Sequence, residues 1–205
     1  NDLYVLRYDE NGAQVWGATP FDGGVLGDDV PMGVGFDIFG DVYVAGYTQG
    51  SGNLDMLLLR YSGTDGSLVW SATYNGSGDG DDLANSVAVG YSAVFVTGRS
   101  RTAAGNDDFY TIKYDLSGGT PVWERSWDGA ASGDDVAVGV AVDPISGHVV
   151  VAGTSVAADG NHDFSAIRYD PDGNVLWEKT VARPLHDDHA SKAVMNPSGH
   201  MYVAG

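Results

Sequence analysis

Short runs of apolar residues, many alternating with small or polar ones, recur along the chain between clusters of Gly, Asn, Asp and Ser. This pattern predicts β-strands joined by tight turns, and no window sustains a helical period. In the clearest stretch the strands are expected at Val136 to Val142, His148 to Gly153, Asp163 to Tyr169 and Val175 to Val181. Between the last two lies Asp170-Pro171-Asp172-Gly173-Asn174, in which Pro presets φ, Asp caps the bend and Gly accepts a positive φ. Asp9-Glu10-Asn11-Gly12 and Thr64-Asp65-Gly66 supply the same turn chemistry earlier in the chain.

The pattern repeats. An Asp opening a strand falls at Asp2, Asp55, Asp108 and Asp163, and a basic-Tyr pair at Arg7-Tyr8, Arg60-Tyr61, Lys113-Tyr114 and Arg168-Tyr169, with spacings of 53, 53 and 55 residues. Trp16, Trp70, Trp123 and Trp177 follow, then Asp28-Asp29, Asp81-Asp82, Asp134-Asp135 and Asp187-Asp188. Four landmarks in phase over four copies define a tandem unit of about 53 residues with four strands each. Units of this length predict an all-β fold, a β-propeller of four-stranded antiparallel blades, rather than a stacked solenoid. The strands Val136 to Val142 and Ala84 to Gly90 are built from small and β-branched residues, as expected where inner strands crowd an axis, while Tyr and Trp on outer strands fill the space between blades.

The whole chain reads as a single propeller domain, with units at 28–80, 81–133 and 134–186 and a split unit made of 1–27 plus 187–205. It opens with the third strand of a unit, Asp2 to Tyr8, and stops after the second, His200 to Gly205. Three arrangements fit this phase: four blades closed by strand exchange between the ends, an excerpt of a larger propeller, or two copies pairing into an eight-bladed ring. The start at Asn1, with no initiator Met, is what a processed or excised segment would show.

Composition narrows the partners. With 28 acidic against 10 basic residues the net charge is −18, a field that repels nucleic acid and anionic membrane surfaces and favours cations and basic protein patches. No cysteine is present, so disulfides, thiolate metal sites and thiol nucleophiles are excluded. No apolar run approaches the roughly 18 residues of a membrane span, so no membrane insertion is expected.

The succession Asp-Phe-x-x-x-Arg/Lys-Tyr-Asp, Gly-x-x-x-Trp, Asp-Asp-x-Ala and Gly-x-Val-x-Val-x-Gly, clearest from Asp108-Phe109 to Gly153, resembles the bacterial β-propeller repeats labelled SBBP. The resemblance spans essentially the whole chain and implies a secreted or cell-surface protein of bacteria or archaea, without a defined activity. Pro31, in place of Ala after Asp-Asp-Val, and the polar His189-Ala190-Ser191-Lys192 depart from it, so the first and last blades are expected to be less regular. Gly-x-x-x-Trp is also similar, more weakly, to propellers that bind a quinone and oxidise alcohols, but these lack the paired aspartates.

Four features could carry chemistry. The acidic pairs, with Ser77-Gly78-Asp79-Gly80 beside one of them, offer the oxygen ligands that Ca²⁺ takes, but their spacing matches no calcium loop. Their recurrence points instead to a structural network, in which the second Asp caps the inner strand and accepts from backbone amides or from the repeated base. That base (Arg7, Arg60, Lys113, Arg168) is expected to pair with a recurrent aspartate between strands. His186-Asp187-Asp188-His189 combines imidazoles and carboxylates of the kind that bind transition metals, but strand alternation keeps the two His from converging. His148 and His200 share a turn position and are expected to face solvent. No catalytic, cofactor-binding or metal-binding residue is therefore assigned. Ser62-Gly63-Thr64-Asp65-Gly66 misses the spacing of sialidase-type Asp boxes, and no nucleophile sits with a base and an orienting acid. The expected function is non-enzymatic: an extracellular binding or scaffolding module for a protein or glycan, or a structural subunit that assembles through its half-blades, with a quinone-dependent or glycoside-acting enzyme as the less favoured class.

Overall fold

The computed structural model describes residues 2–24, 27–183, 186–196 and 198–205, and over these the chain is a succession of β-strands with no helix. Three four-stranded antiparallel sheets follow one another: β3 (Val30–Phe36), β4 (Val42–Gln49), β5 (Leu54–Tyr61) and β6 (Leu68–Tyr74); β7 (Leu83–Val89), β8 (Ala93–Arg101), β9 (Asp107–Asp115) and β10 (Pro121–Trp127); β11 (Val136–Val142), β12 (Val149–Val156), β13 (His162–Tyr169) and β14 (Val175–Val181). Each sheet keeps chain order, as propeller blades do. Before them stands a two-stranded sheet of β1 (Leu6–Tyr8) and β2 (Gln14–Gly17), and after them one of β15 (Lys192–Met195) and β16 (Met201–Ala204). These two half-blades are separate sheets and do not form one four-stranded blade.

Register is the same in every complete blade. The ladders Val42↔Tyr61, Val94↔Tyr114 and Val149↔Tyr169 place the repeated Tyr opposite the start of the second strand. In each, the first strand carries a bulge, at Pro31/Gly33, Ala84/Ser86 and Ala137/Gly139. Opposite it sits the last glycine of Gly-x-Val-x-Val-x-Gly or its equivalent. A Cβ there would lie 1.9 Å from the Val30 carbonyl oxygen at Gly46, 1.8 Å from that of Leu83 at Gly98 and 2.1 Å from that of Val136 at Gly153. Close backbone approach dictates that glycine. Pro31 falls at the bulge, where a missing amide is tolerated, so the blade it opens is as regular as the others. In the last copy the polar His189-Ala190-Ser191 precedes the short β15.

The core lies between blades. One cluster joins Leu3 and Trp16 to Val44, Leu57, Leu59 and Tyr61; a second joins Tyr43 and Met56 to Val94, Ile112 and Tyr114; a third joins Phe95 and Trp123 to Val149, Ile167 and Tyr169. The first strands are small because they meet at the axis, β3 against β7, β7 against β11 and β11 against β15, around a cavity of about 420 Å³. Burying the aromatic side chains at the wider outer part of each joint removes far more apolar area from water than the small inner residues do.

Candidate functional site

Alternation of the strands puts two kinds of loop at opposite ends of the blades. At one end lie the turns between first and second and between third and fourth strands. There the acids are turned inward on their own loops: Asp9 accepts from the Asn11 and Ala13 amides, Asp37 from Phe39 and Asp41, and Asp170 from Asp172 and Asn174. Such hydrogen bonds hold Asp65, Asp143 and Asp170 below the usual carboxylate range.

The repeated base and Trp meet at this end. Arg7 and the Trp16 indole N–H both donate to the Gly63 carbonyl of the next blade, Arg60 and Trp70 to that of Leu116, and Lys113 and Trp123 to that of Pro171. Against the face of each Trp lies a positive-φ glycine of the same turn, Gly66, Gly119 or Gly173, where a Cβ would come within 2.6 to 2.8 Å of the indole. In these three copies the base thus crosses between blades to a main-chain carbonyl, and among the described residues the expected pairing with an aspartate holds for Arg60, whose guanidinium meets Asp41 at 2.6 Å. Burial raises the Asp41 pKa, but the Gly63 amide and Arg60 outweigh it and hold that carboxyl low. His148 occupies the position of Asp41 and its Nδ1 lies 3.0 Å from Arg168, so it is half-buried and engaged, not free in solvent; His200 is exposed.

At the other end the acidic pairs also join blades. Asp81, Asp134 and Asp187 accept from the amides of Leu54, Asp107 and His162, where the third strand of the preceding blade begins, and the following Asp amide donates back to the carbonyl of the same residue. The second Asp is buried. Asp82 accepts from the Gly76 and Arg101 amides and Asp135 from Gly129 and Val156, while Asp29 accepts from Gly23 and Thr48 and Asp188 from Arg183. The structural reading of the pairs, with backbone amides as donors, matches this geometry. Close to these acids stand Asp55, Asp108 and Asp163; burial first, then neighbouring carboxylates, Asp82 for Asp55 and Asp159 and Asp188 for Asp163, raise their pKa.

What this end presents outward is carboxylate. Asp22, Asp28, Asp79, Asp81, Asp128, Asp134, Asp159 and Asp187 are exposed on its loops. Arg99 and Arg101 pair with Asp107, Arg101 also lies 3.6 Å from Asp134, and Arg183 pairs with Asp188, while Lys179 shares a cleft with Asp128. Asp79 adopts φ +53°. Such a rim can attract and orient a basic partner. Among the described residues no group of three or more His, Asp or Glu is placed to hold a metal ion. His189 packs instead on His162, ring centroids 4.9 Å apart, a contact across 27 residues that spacing within the His186–His189 motif could not signal. The inter-blade target of the base was likewise invisible in sequence, although the co-recurrence of base, Trp and turn glycine was its trace.

A family model described as outer membrane protein assembly factor BamB matches residues 1–204. Among solved structures, the crystal structure of BamB from Moraxella catarrhalis is similar at 14% identity and a TM-score of 0.32, covering 98% of this chain and 85% of that one. No curated protein matches the sequence.

Proposed function

Since this chain belongs to the family of outer membrane protein assembly factor BamB, a propeller-repeat family, we propose that it is a protein-interaction scaffold that binds a basic partner surface at its acidic end. The observation that carries this reading is the asymmetry of the two ends. Among the described residues the turn end exposes Asp9, Glu10, Asp65 and Asp172, whereas the other end exposes the larger set of aspartates from Asp22 to Asp187, with Arg101 and Arg183 paired to the acids Asp107 and Asp188. The scaffold acts by binding, without a catalytic step. The SBBP-like succession of landmarks supports the finer proposal that it works in bacteria or archaea at the cell surface or outside the cell, where a glycan is the other class of partner.

The test is a lysine-rich peptide titrated against the chain at low and high salt. Asp79→Asn with Asp128→Asn is expected to weaken binding several-fold, and Glu10→Gln with Asp172→Asn, an equal charge change at the opposite end, to leave it nearly unchanged. Equal loss from both pairs would reduce the effect to net charge and remove the acidic end as a site.

A further inference from the structure

The two joints between complete blades fill the same three positions differently at their outer margin, beside the acidic end. In the joint of β3–β6 with β7–β10, Tyr74 at the end of β6 stacks on Tyr110 of β9, ring centroids 4.5 Å apart and planes 23° from parallel, and the Tyr110 hydroxyl donates to Glu124 at 2.6 Å. One repeat on, Trp127 stands where Tyr74 does and Glu178 where Glu124 does, but the counterpart of Tyr110 is Ser165, an equivalence fixed by the ladders Ser126↔Tyr110 and Thr180↔Ser165. That serine is buried, and its hydroxyl is shared with those of Ser155 and Thr180. An aromatic side chain and a glutamate therefore meet in the second joint without the phenol ring that lies between them in the first.

The second joint is open at this point. Trp127, backed by Phe109 with ring centroids 5.0 Å apart, sends its indole N–H to one oxygen of Glu178 at 2.8 Å. Trp127, Asp128 and Ala130 form one wall of a cleft and Glu178, Lys179 and Thr180 the other, around about 360 Å³. A cavity of about 150 Å³ already admits benzene, so a phenol ring fits here with room for the chain that carries it. Both walls belong to complete four-stranded blades. At the mouth the exposed carboxylates of Asp128 and Glu178 outnumber the one ammonium, that of Lys179.

We propose that this cleft is the anchor pocket for a tyrosine side chain of the partner, carried between basic residues, with its ring against Trp127 and its hydroxyl donating to the Glu178 carboxylate. The first joint supplies the pattern, since there the chain's own Tyr110 does both things with Tyr74 and Glu124. A carboxylate acceptor makes the stronger kind of hydrogen bond, which phenylalanine in the same volume would forgo. Basic neighbours of the tyrosine meet Asp128 and the exposed aspartates of the adjoining loops. The proposal rests on the acidic end as the site of a basic surface and adds what selects among such surfaces. Exposed carboxylates attract many cations alike, whereas an aromatic ring desolvated in a cleft is the kind of contact that dominates binding energy.

The probes are the peptides Lys-Lys-Tyr-Lys-Lys and Lys-Lys-Ala-Lys-Lys, titrated into the chain by calorimetry. The tyrosine peptide is expected to bind about tenfold more tightly, and the ratio to persist as added salt weakens both. Trp127→Ala should abolish the ratio while leaving the affinity of the alanine peptide unchanged. Ala130→Trp, which fills the cleft from an exposed loop position and leaves Trp127 in place, should do the same. Equal affinity of the two peptides, or a tyrosine advantage that survives both substitutions, would overturn the pocket and leave the acidic end standing as a site for basic surfaces. Binding of neither peptide would overturn that reading and the pocket with it. Displacement of the tyrosine peptide by methyl glucoside, lost in Trp127→Ala, would overturn the proposal in favour of a saccharide in the cleft.

Discussion

At the scale of single residues, the inter-blade clamp and the buried acids pull stability in opposite directions. Trp123 donates to Pro171 at 3.0 Å, packs on Phe95 and Tyr169 and is covered by Gly173. Trp123→Phe is expected to cost about 1 kcal/mol, the net worth of one hydrogen bond, and Trp123→Ala about 3–5 kcal/mol, both read by urea denaturation. Asp55 is the converse case, because its Oδ1 is buried without a partner and burial, then Asp82, raises its pKa. An acid whose folded-state pKa is raised helps stability below its unfolded value and loses that help as pH rises through the folded value. Asp55→Asn should therefore raise Tm at pH 7 by roughly 2–4 °C, corresponding to about 1 kcal/mol, and the gain should shrink towards zero near pH 4. A gain that stays constant from pH 7 to pH 4 would show that ionisation of Asp55 is not its cause.

At the scale of strands, much was legible in advance. Val136–Val142 and Val175–Val181 run as expected, and the two strands between them differ by a residue or a few at their ends, because alternation marks the strand body while the hydrogen-bonded turns set its limits. Periodicity also showed that base, Trp and acidic pair belong to a network. It could not show the direction of that network, since landmarks in one repeat look equally able to bond within the blade or to the next, and only the packing of one sheet on another sends Lys113 to Pro171. The bulge adds a rule that strand propensity does not contain. Gly98→Ala should cost more than about 2 kcal/mol, because its Cβ would strike the Leu83 carbonyl, whereas Gly52→Ala, with open space around it, should fall within about 0.5 kcal/mol of the parent chain.

At the scale of the whole molecule, the two joints between complete blades are tied at both ends, by base and Trp to a turn carbonyl at one and by the acidic pair to the start of a third strand at the other. These ties are made of protein groups alone, so calcium or a chelator is expected to shift the melting temperature by less than about 1 °C in calorimetry. A calcium-dependent rise of several degrees would point to a site in the acidic loops and reopen the reading of the paired aspartates. Because the blades pack chiefly on the units next to them, stability should behave approximately as a sum of units and junctions.

That uniformity has a bearing on how such a chain could lengthen. Residues 81–133 meet the preceding and following units through the same two ties, with the donors on one side and the receiving turn on the other. A tandem duplication of this segment would bring no foreign surfaces together, since the new boundary would repeat one already tolerated twice. Gene copying that respects the 53-residue frame would thus be structurally silent at the moment it happens, and only the later divergence of loops would be open to selection.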